Sequence, residues 1–340
     1  MGGWETDEFD KEALESIKCF LPKSIIDIHS HIYRTEDLGI SGDSFLTRMY
    51  GEVGIDVWRS SMKEFFGFTL KGALLMPMPA LACDIEAENE YLKEQLQKHN
   101  VFGDGLYKGL IMISPDTSED YVRQYLDNPY IIGFKPYYFF SKASPKNESP
   151  IEGYIPERFF RLADEYGLAI TVHLVKHKAL LDPDNYKSIV RVCKKYPNMK
   201  LVLAHAARGF HSTNTVAAIR KLRGIDNVYF DTALICEAEP IRAILDEFGA
   251  AKLMWGSDFP ASINKGKYCS IGDSFLVVDE SMLRTRTDSP AGVTINLIQS
   301  GIESLRAVKS AIESFGAAKT EIEDIFSKNA EKLFGYSEYS

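Results

Sequence analysis

Short apolar runs alternate with amphipathic segments from one end of the chain to the other. Eight runs read as strands: residues 24–29, 71–77, 107–114, 131–138, 169–174, 201–205, 228–232 and 253–257. They are continuous rather than alternating, as strands buried on both faces should be. Helical periods fill the gaps. Asp84 opens an acidic first turn, after which Ile85, Leu92 and Leu96 share a face and Glu94 stands one turn before Lys98. Pro156 suits a first helical turn, with Phe159, Ala163 and Tyr166 following at helical spacing. Residues 185–196, 214–223 and 239–248 continue the alternation, and Ile302, Leu305, Val308, Ile312 and Phe315 mark a long helix near the end. Eight buried strands, each followed by a helix, predict an α/β fold of the (β/α)8 TIM-barrel type. A doubly wound open sheet is the rival, but it rarely needs eight parallel strands and it carries a glycine-rich phosphate turn that this sequence lacks.

Residues 1–23 read as an N-terminal helical extension and residues 24–340 as a single barrel domain. Two connections exceed what a helix requires, at about 32–70 after the first strand and about 259–298 after the eighth. Barrel closure makes those strands neighbours, so both insertions would rise from one side of the C-terminal face, where barrel enzymes keep their active sites. They are expected to be pocket walls or a lid, or else a contact between two copies.

Composition narrows the function. The net charge of −9 disfavours a nucleic-acid-binding surface. No apolar stretch approaches the ~18 residues that span a bilayer, and the acidic start MGGWETDEFDKEALE lacks the basic and apolar regions of a secretory signal. Gly2 and Thr6 fit the N-myristoylation pattern, too loose a match to carry weight. The five cysteines are scattered without a CxxC pair, which fits reduced thiols in the cytoplasm and neither a disulfide framework nor a cysteine zinc site. A cytoplasmic protein acting on a small molecule, away from membranes and nucleic acid, is the expectation.

Of seven histidines, four fall at the C-terminal ends of predicted strands: His29, His31, His173 and His205. In IIDIHSHI, a period of two places residues 27, 29 and 31 on one face. Two imidazoles ~6.6 Å apart along a strand can converge on a metal where the strand ends. His173 ends the fifth strand and His205 the sixth, while Asp258 follows the eighth in LMWGSDFP, beside the first strand once the barrel closes. Each residue alone has an ordinary explanation, as a hydrogen-bonded interior histidine or, for Asp258, a helix N-cap. Together they resist one, because burying so many polar groups without a ligand is costly. Nitrogen and oxygen donors of this kind suit Zn2+ first, with Mn2+, Fe2+ or Co2+ as other occupants. The cations Arg34, Lys135, Lys176 and Arg208 lie near strand ends in an acidic chain, which hints at a carboxylate-bearing substrate. Tyr137 and Tyr138 follow the fourth strand, where a period of two would turn only one of them inward.

The motifs IDIHSHI, GFKPYY, VHL, AHA, WGSDFP and IFSKNAEKLFG, in this order between about residues 25 and 335, resemble the amidohydrolase-related family of metal-dependent barrel enzymes. The branch they resemble includes aminocarboxymuconate semialdehyde decarboxylase and related aromatic-acid decarboxylases, besides hydrolases and lactonases. The resemblance implies one Zn2+ per chain held by His29, His31, His173 and Asp258, with His205 as a catalytic acid–base or substrate-polarising group. It also implies a structural closing helix at residues 329–335. In binuclear members of the wider superfamily a lysine on the fourth strand is carboxylated and bridges two metals. Lys135 stands at that place, so two metals are the expectation if it is carboxylated. The branch is usually mononuclear, however, and there such a lysine binds an anionic substrate. Related barrels often form dimers, which makes the 259–298 segment a candidate contact in a homodimer.

The implied ligands lead to a metal-dependent hydrolase. A metal-activated water attacks, Asp258 takes its proton and passes it to the leaving group, and His205 hydrogen-bonds the carbonyl oxygen. Lys135, Arg34, Arg208 and Tyr137 are the candidate substrate-binding residues. The same parts serve a non-oxidative decarboxylase of an aromatic or enoate acid, in which Asp258 or His205 assists proton delivery to carbon as CO2 leaves. The sequence leaves that choice open. A third reading is a catalytically silent barrel with a binding role, against which the complete ligand set speaks.

Overall fold

Each of the eight apolar runs forms a strand: β1 (Ile26–Arg34), β2 (Gly72–Pro77), β3 (Leu106–Ile113), β4 (Ile131–Pro136), β5 (Ala169–Val172), β6 (Lys200–Leu203), β7 (Val228–Asp231) and β8 (Leu253–Met254). The computed structural model describes residues 6–42, 44, 46, 47, 51–101, 103, 105–284 and 295–336. Gly2, with its acylation pattern, lies outside them. The strands pair in chain order, all parallel from β1 to β8. The two edges then meet. Ile28 N–H donates to Trp255 O at 3.2 Å, Asp258 N–H to His29 O at 2.7 Å and His31 N–H to Phe259 O at 2.7 Å. The sheet is thereby closed as an α/β barrel of the TIM type.

β8 is shorter than the expected 253–257 run because the chain must pass close to β1 at Gly256. A Cβ there would sit 2.7 Å from the His29 Cβ, so glycine alone fits without displacing that histidine.

Eight helices follow the strands in turn: α2 (Ile55–Phe66), α3 (Ile85–Val101), α4 (Glu119–Leu126), α5 (Glu157–Tyr166), α6 (Pro183–Lys195), α7 (Ser212–Ala218), α8 (Ala238–Phe248) and α9 (Ser300–Phe315). α1 (Glu8–Lys18) precedes the barrel as the expected N-terminal helix, and its buried Asp10 accepts from Gln299 N–H at the head of α9 (2.8 Å). Asp84 caps α3 by accepting from the Glu86 and Ala87 amides at 3.1 Å each. Lys98 reaches across to Asp56 of α2 (3.3 Å) rather than back to Glu94. No helix among the described residues is long and apolar enough to cross a membrane.

Part of the segment expected as an insertion at 32–70 is regular barrel structure. β1 runs on to Arg34, and α2 is the barrel's own first helix, with Ile55, Trp58, Met62 and Phe66 buried along one face. Just before α2, Glu52–Val53 forms a two-residue strand antiparallel to the end of β1. Of the second expected insertion, 259–298, residues 285–294 lie outside the described residues; within the rest, β9 (Lys267–Ile271) and β10 (Ser274–Val278) form a hairpin. The hairpin lies over the loops that follow β5, β6 and β7. Ser270 Oγ accepts from Ser212 N–H (2.9 Å), Ser270 N–H donates to Glu237 (2.8 Å), and His177 stands 3.4 Å from Asp273. It walls the C-terminal face.

Ile26, Ile28, Leu74, Met76, Leu110, Val202 and Met254 pack inside the lower barrel. From the N-terminal end α10 (Asn329–Phe334) inserts Ala330 and Phe334, followed by Tyr336, into the same cluster. Asn329 Nδ2 fixes α10 by donating to Ala250 O (2.8 Å) and Leu253 O (2.9 Å), so the closing helix is structural. Phe334→Ala should therefore cost about 3–5 kcal/mol, read as a shift in urea unfolding. A loss below about 1 kcal/mol would show that the barrel does not rest on this floor.

Candidate metal centre

The pairing of β1 with β2 slips between Asp27 and Ser30. Ile26 and Ile28 face the barrel interior, whereas Asp27 and Ser30 turn to the helix layer, where both meet Trp58 Nε1 (3.2 and 3.0 Å). Residues 27, 29 and 31 therefore do not share a face as strict alternation predicted. The irregularity puts Ile28 and His29 on the same side, and His31 follows. A bulge at a barrel rim re-aims side chains in this way, and here it lifts two imidazoles above the apolar floor.

The four strand-end histidines have one hydrogen-bonding pattern in common. His29 Nδ1 lies 2.9 Å from the Asp231 carboxylate, His31 Nδ1 3.2 Å from Pro77 O, His173 Nδ1 2.9 Å from Leu174 O and His205 Nδ1 2.9 Å from Ala233 O. Every one of these partners is an acceptor, and the Tyr137 hydroxyl near His31 gives its own hydrogen to Pro77 O (3.0 Å). Each Nδ1 therefore carries the proton, and each Nε2 is left with a lone pair. Two of those lone pairs meet a third acceptor. Asp258 Oδ1 is 3.2 Å from His31 Nε2 and 3.5 Å from His29 Nε2. Tetrahedral donors about 2.0–2.1 Å from zinc lie about 3.3–3.4 Å from one another, so the spacing is that of a metal's coordination sphere. Lys135 reaches the same place, with Nζ 3.1 Å from His29 Nε2.

The electrostatics follow from burial around this cluster. Burial lowers the pKa of His29, assisted by the Lys135 charge and opposed by Asp231 and Asp258. It likewise lowers His205 and, together with His205 and Arg208, takes His173 well below its ordinary value. All three imidazoles are thus held neutral. Burial alone would raise Asp258, but the ring of His31 beside it, and the positive charge that His29 and His205 gain on acidification, hold it far below the usual carboxylate range. Asp231 is lowered in the same way, through His29 and the His205 amide. Lys135, with 1 % of its surface exposed, is brought down to about 8 by burial, which Asp231 and Asp258 oppose.

Backbone strain collects at the same rim. His205, Ala206, Ala207 and Arg208 form a left-handed turn with φ of 57°, 49°, 59° and 59°, and Asp258 has φ of 58°. Such conformations cost non-glycine residues about 1–2 kcal/mol each and persist where surrounding bonds hold them. Asp231 Oδ1 accepts from the His205 amide (2.7 Å), and His29 O accepts from the Asp258 amide (2.7 Å).

The other expected residues divide. Tyr137 is buried beside His31 (3.4 Å to Nδ1), and the Tyr138 ring lies 6.0 Å from that of His173. Both border the site, because a tight turn at Tyr138–Phe140 ends the period of two. Arg208 is half-buried, donates to Lys176 O (3.1 Å) and places its charge near Tyr138, Tyr154 and His173. Arg34 is not brought to the site. It pairs with Asp37 (2.7 Å) and lies over the Tyr91 ring of α3. Lys176 likewise turns to Asp184 (2.6 Å). His29, His31 and Asp258 form one group of donor atoms within 4.8 Å of one another, and His29, His205 and Asp231 form a second. His173 belongs to neither group, its ring lying 4.9 Å from that of His205. Above His205 sits Phe210 (5.0 Å), on which Tyr268 and Phe275 of the hairpin stack at 5.1 Å each. Sequence reasoning missed Asp231 and gave Asp27 no role; the signal was a carboxylate in each of two otherwise apolar runs.

Comparison with known proteins bears on the family and the fold. A family model described as amidohydrolase matches residues 80–336. An L-fucono-1,5-lactonase of Burkholderia ambifaria is 29% identical over 119 residues, which cover 31% of this chain and 41% of that protein. The chain thus spans less than half the length of the curated relative it matches. Among solved structures, an amidohydrolase from Burkholderia multivorans with bound zinc aligns with a TM-score of 0.59 at 16% identity, over 92% of this chain and 99% of that one. A probable 2-pyrone-4,6-dicarboxylic acid hydrolase from Acinetobacter baumannii gives 0.59 at 16% identity over the same shares. A 5-carboxyvanillate decarboxylase from Sphingomonas paucimobilis gives 0.56 at 12% identity, over 93% and 100%. At these identities the structures share the fold.

The neutral imidazoles give a signed pH dependence. Unfolded histidines take up protons near pH ~6.5, while His29, His173 and His205 in the native protein do so only at lower pH, so stability falls as pH drops below ~6.5. Asp231 and Asp258, whose native pKa values are depressed, add a further loss as pH falls below ~4. The urea midpoint of chelator-treated protein should decline steadily across that range. A midpoint that is flat or rises on acidification would contradict the assigned protonation states.

Proposed function

The chain belongs to the amidohydrolase family, and on that premise we propose that it is a metal-dependent hydrolase of a small, carboxylate-bearing substrate. One observation carries the proposal: four imidazoles whose Nδ1–H groups are already engaged turn their Nε2 lone pairs elsewhere, two of these face Asp258 Oδ1 at 3.2 and 3.5 Å, and among the described residues only that of His29 meets a donor, Lys135 Nζ at 3.1 Å. Acceptors gathered in this way call for a cation. His29, His31 and Asp258 would hold it, with His173 as the fourth ligand, and Zn2+ suits nitrogen and oxygen donors at this spacing. When bound, the ion supplies Lewis acidity and makes water a nucleophile at neutral pH.

The remaining chemistry belongs to the side chains. Asp258, ionised at any working pH, accepts the proton of the attacking water and returns it to the leaving group. His205 would offer the carbonyl oxygen a hydrogen bond from Nε2 when that nitrogen carries a proton taken up from solvent as the substrate's negative charge enters the site. Its ring is held for that task by Ala233 O and Phe210. Lys135 and Arg208 are the cations that would pair with a substrate carboxylate, and Tyr137 borders the same space. Five unpaired cysteines support a reducing, cytoplasmic setting.

Elemental analysis of protein purified without chelator should find about one zinc or similar ion per chain, absent from a His29→Ala, Asp258→Ala double variant. Two ions per chain would indicate a carboxylated Lys135 as a bridge. Asp258→Asn should lower kcat about 10²–10⁴-fold on whichever lactone or amide is turned over. Release of CO2 from a carboxylated aromatic or enoate, with no lactone or amide hydrolysed, would reassign the same site to decarboxylation. A wild-type protein that takes up no divalent ion would remove the proposal and leave a barrel with a binding role.

A further inference from the structure

Asp27 is fully buried and faces away from the four imidazoles, yet its carboxylate gathers donors from three elements. It accepts from Ser257 N–H (2.8 Å) and Ser257 Oγ–H (2.6 Å) after β8, and from Trp58 Nε1–H (3.2 Å) on α2. Within β1 it accepts from His29 N–H (3.1 Å) and from the Ser30 hydroxyl. A carboxylate offers about four lone-pair sites, so its accepting capacity is full.

The segment it grips is the one that delivers Asp258. Ser257 Oγ accepts the Phe259 amide (2.9 Å), and the Asp258 amide donates to His29 O (2.7 Å). Each amide from residue 257 to 259 is thereby bonded, the first directly and the third indirectly through Asp27. Between them Asp258 holds its left-handed φ of 58°. That conformation brings Oδ1 to within 3.5 Å of His29 Nε2 and His31 Nε2.

We propose that Asp27 is a positioning residue for the metal centre: by holding Ser257, it fixes the left-handed turn that aims the Asp258 carboxylate at His29 and His31. The inference rests on the metal-binding reading of that cluster. Asp27 acts through the backbone beside a ligand, whereas Asp231 acts through a ligand's own ring nitrogen.

A merely structural role would treat all of its donors alike, so the test removes donors from opposite sides. Ser257→Ala and Asp27→Asn loosen the ligand side. Trp58→Phe removes a bond to the same carboxylate from the helix side. Zn2+ affinity is measured by chelator competition, ligand geometry from the visible spectrum of Co2+-substituted protein, and stability from the urea midpoint. Ser257→Ala and Asp27→Asn should weaken Zn2+ binding about 10–100-fold and alter the Co2+ bands. Trp58→Phe should lower the midpoint while leaving both metal readouts near wild type. Equal loss of affinity in Trp58→Phe and Ser257→Ala, tracking the midpoint, would overturn the proposal. Amide hydrogen exchange in metal-free protein separates this failure from failure of the metal reading. Exchange at residues 257–259 should rise in Ser257→Ala and Asp27→Asn whether or not metal binds, and unchanged exchange there would overturn the inference by itself. Should Asp27→Asn not fold, Ser257→Ala carries the test alone.

Discussion

Lone pairs that face one another across 3.2–3.5 Å repel unless a cation lies between them, and that constraint organises the C-terminal rim of this barrel. It arises because each imidazole has already committed its Nδ1–H to a fixed acceptor, which decides the tautomer. Two of those acceptors are carbonyls of the strand-end loops at Leu174 and Ala233, one is the last residue of β2, and one is the buried Asp231 carboxylate. The rim therefore does more than carry the histidines. It orients every ring and leaves the accepting nitrogen on the side that faces the site, at the cost of several left-handed residues that only a well-bonded rim can hold.

The seam between β1 and the residues after β8 is where fold and chemistry become the same problem. Barrel closure and the entry of Asp258 both depend on hydrogen bonds exchanged within residues 27–31 and 255–259. Gly256 permits the approach, since any side chain would strike the His29 Cβ. The hairpin of β9 and β10 then covers His205 through the Phe210 stack, so the second insertion shapes the space beside the proposed metal.

Much of this was legible in the chain itself. Continuous apolar runs announced strands buried on both faces, and their number and spacing pointed to a closed barrel. His29, His31, His205 and Asp258 were legible because polar groups at the ends of apolar runs have few other reasons to be there. The bulge was not legible, since a register slip leaves no trace in a period-two reading of IIDIHSHI, and so Asp27 was assigned to the wrong face. Arg34 and Lys176 were drawn to the site by proximity in sequence, whereas nearby carboxylates, Asp37 and Asp184, compete for them more cheaply than a buried pocket does. Asp231 went unremarked because a lone carboxylate at a strand end has no partner visible along the chain. Its partner, His29, is about 200 residues away and only closure of the barrel brings the two together.

The most direct measurement of the central claim is anomalous diffraction at the zinc edge from crystals grown with Zn2+. One peak, within about 2.0–2.2 Å of His29 Nε2, His31 Nε2 and Asp258 Oδ1, is the result that the lone-pair geometry predicts. A peak bonded to other residues, or no peak at full Zn2+ loading, would contradict it.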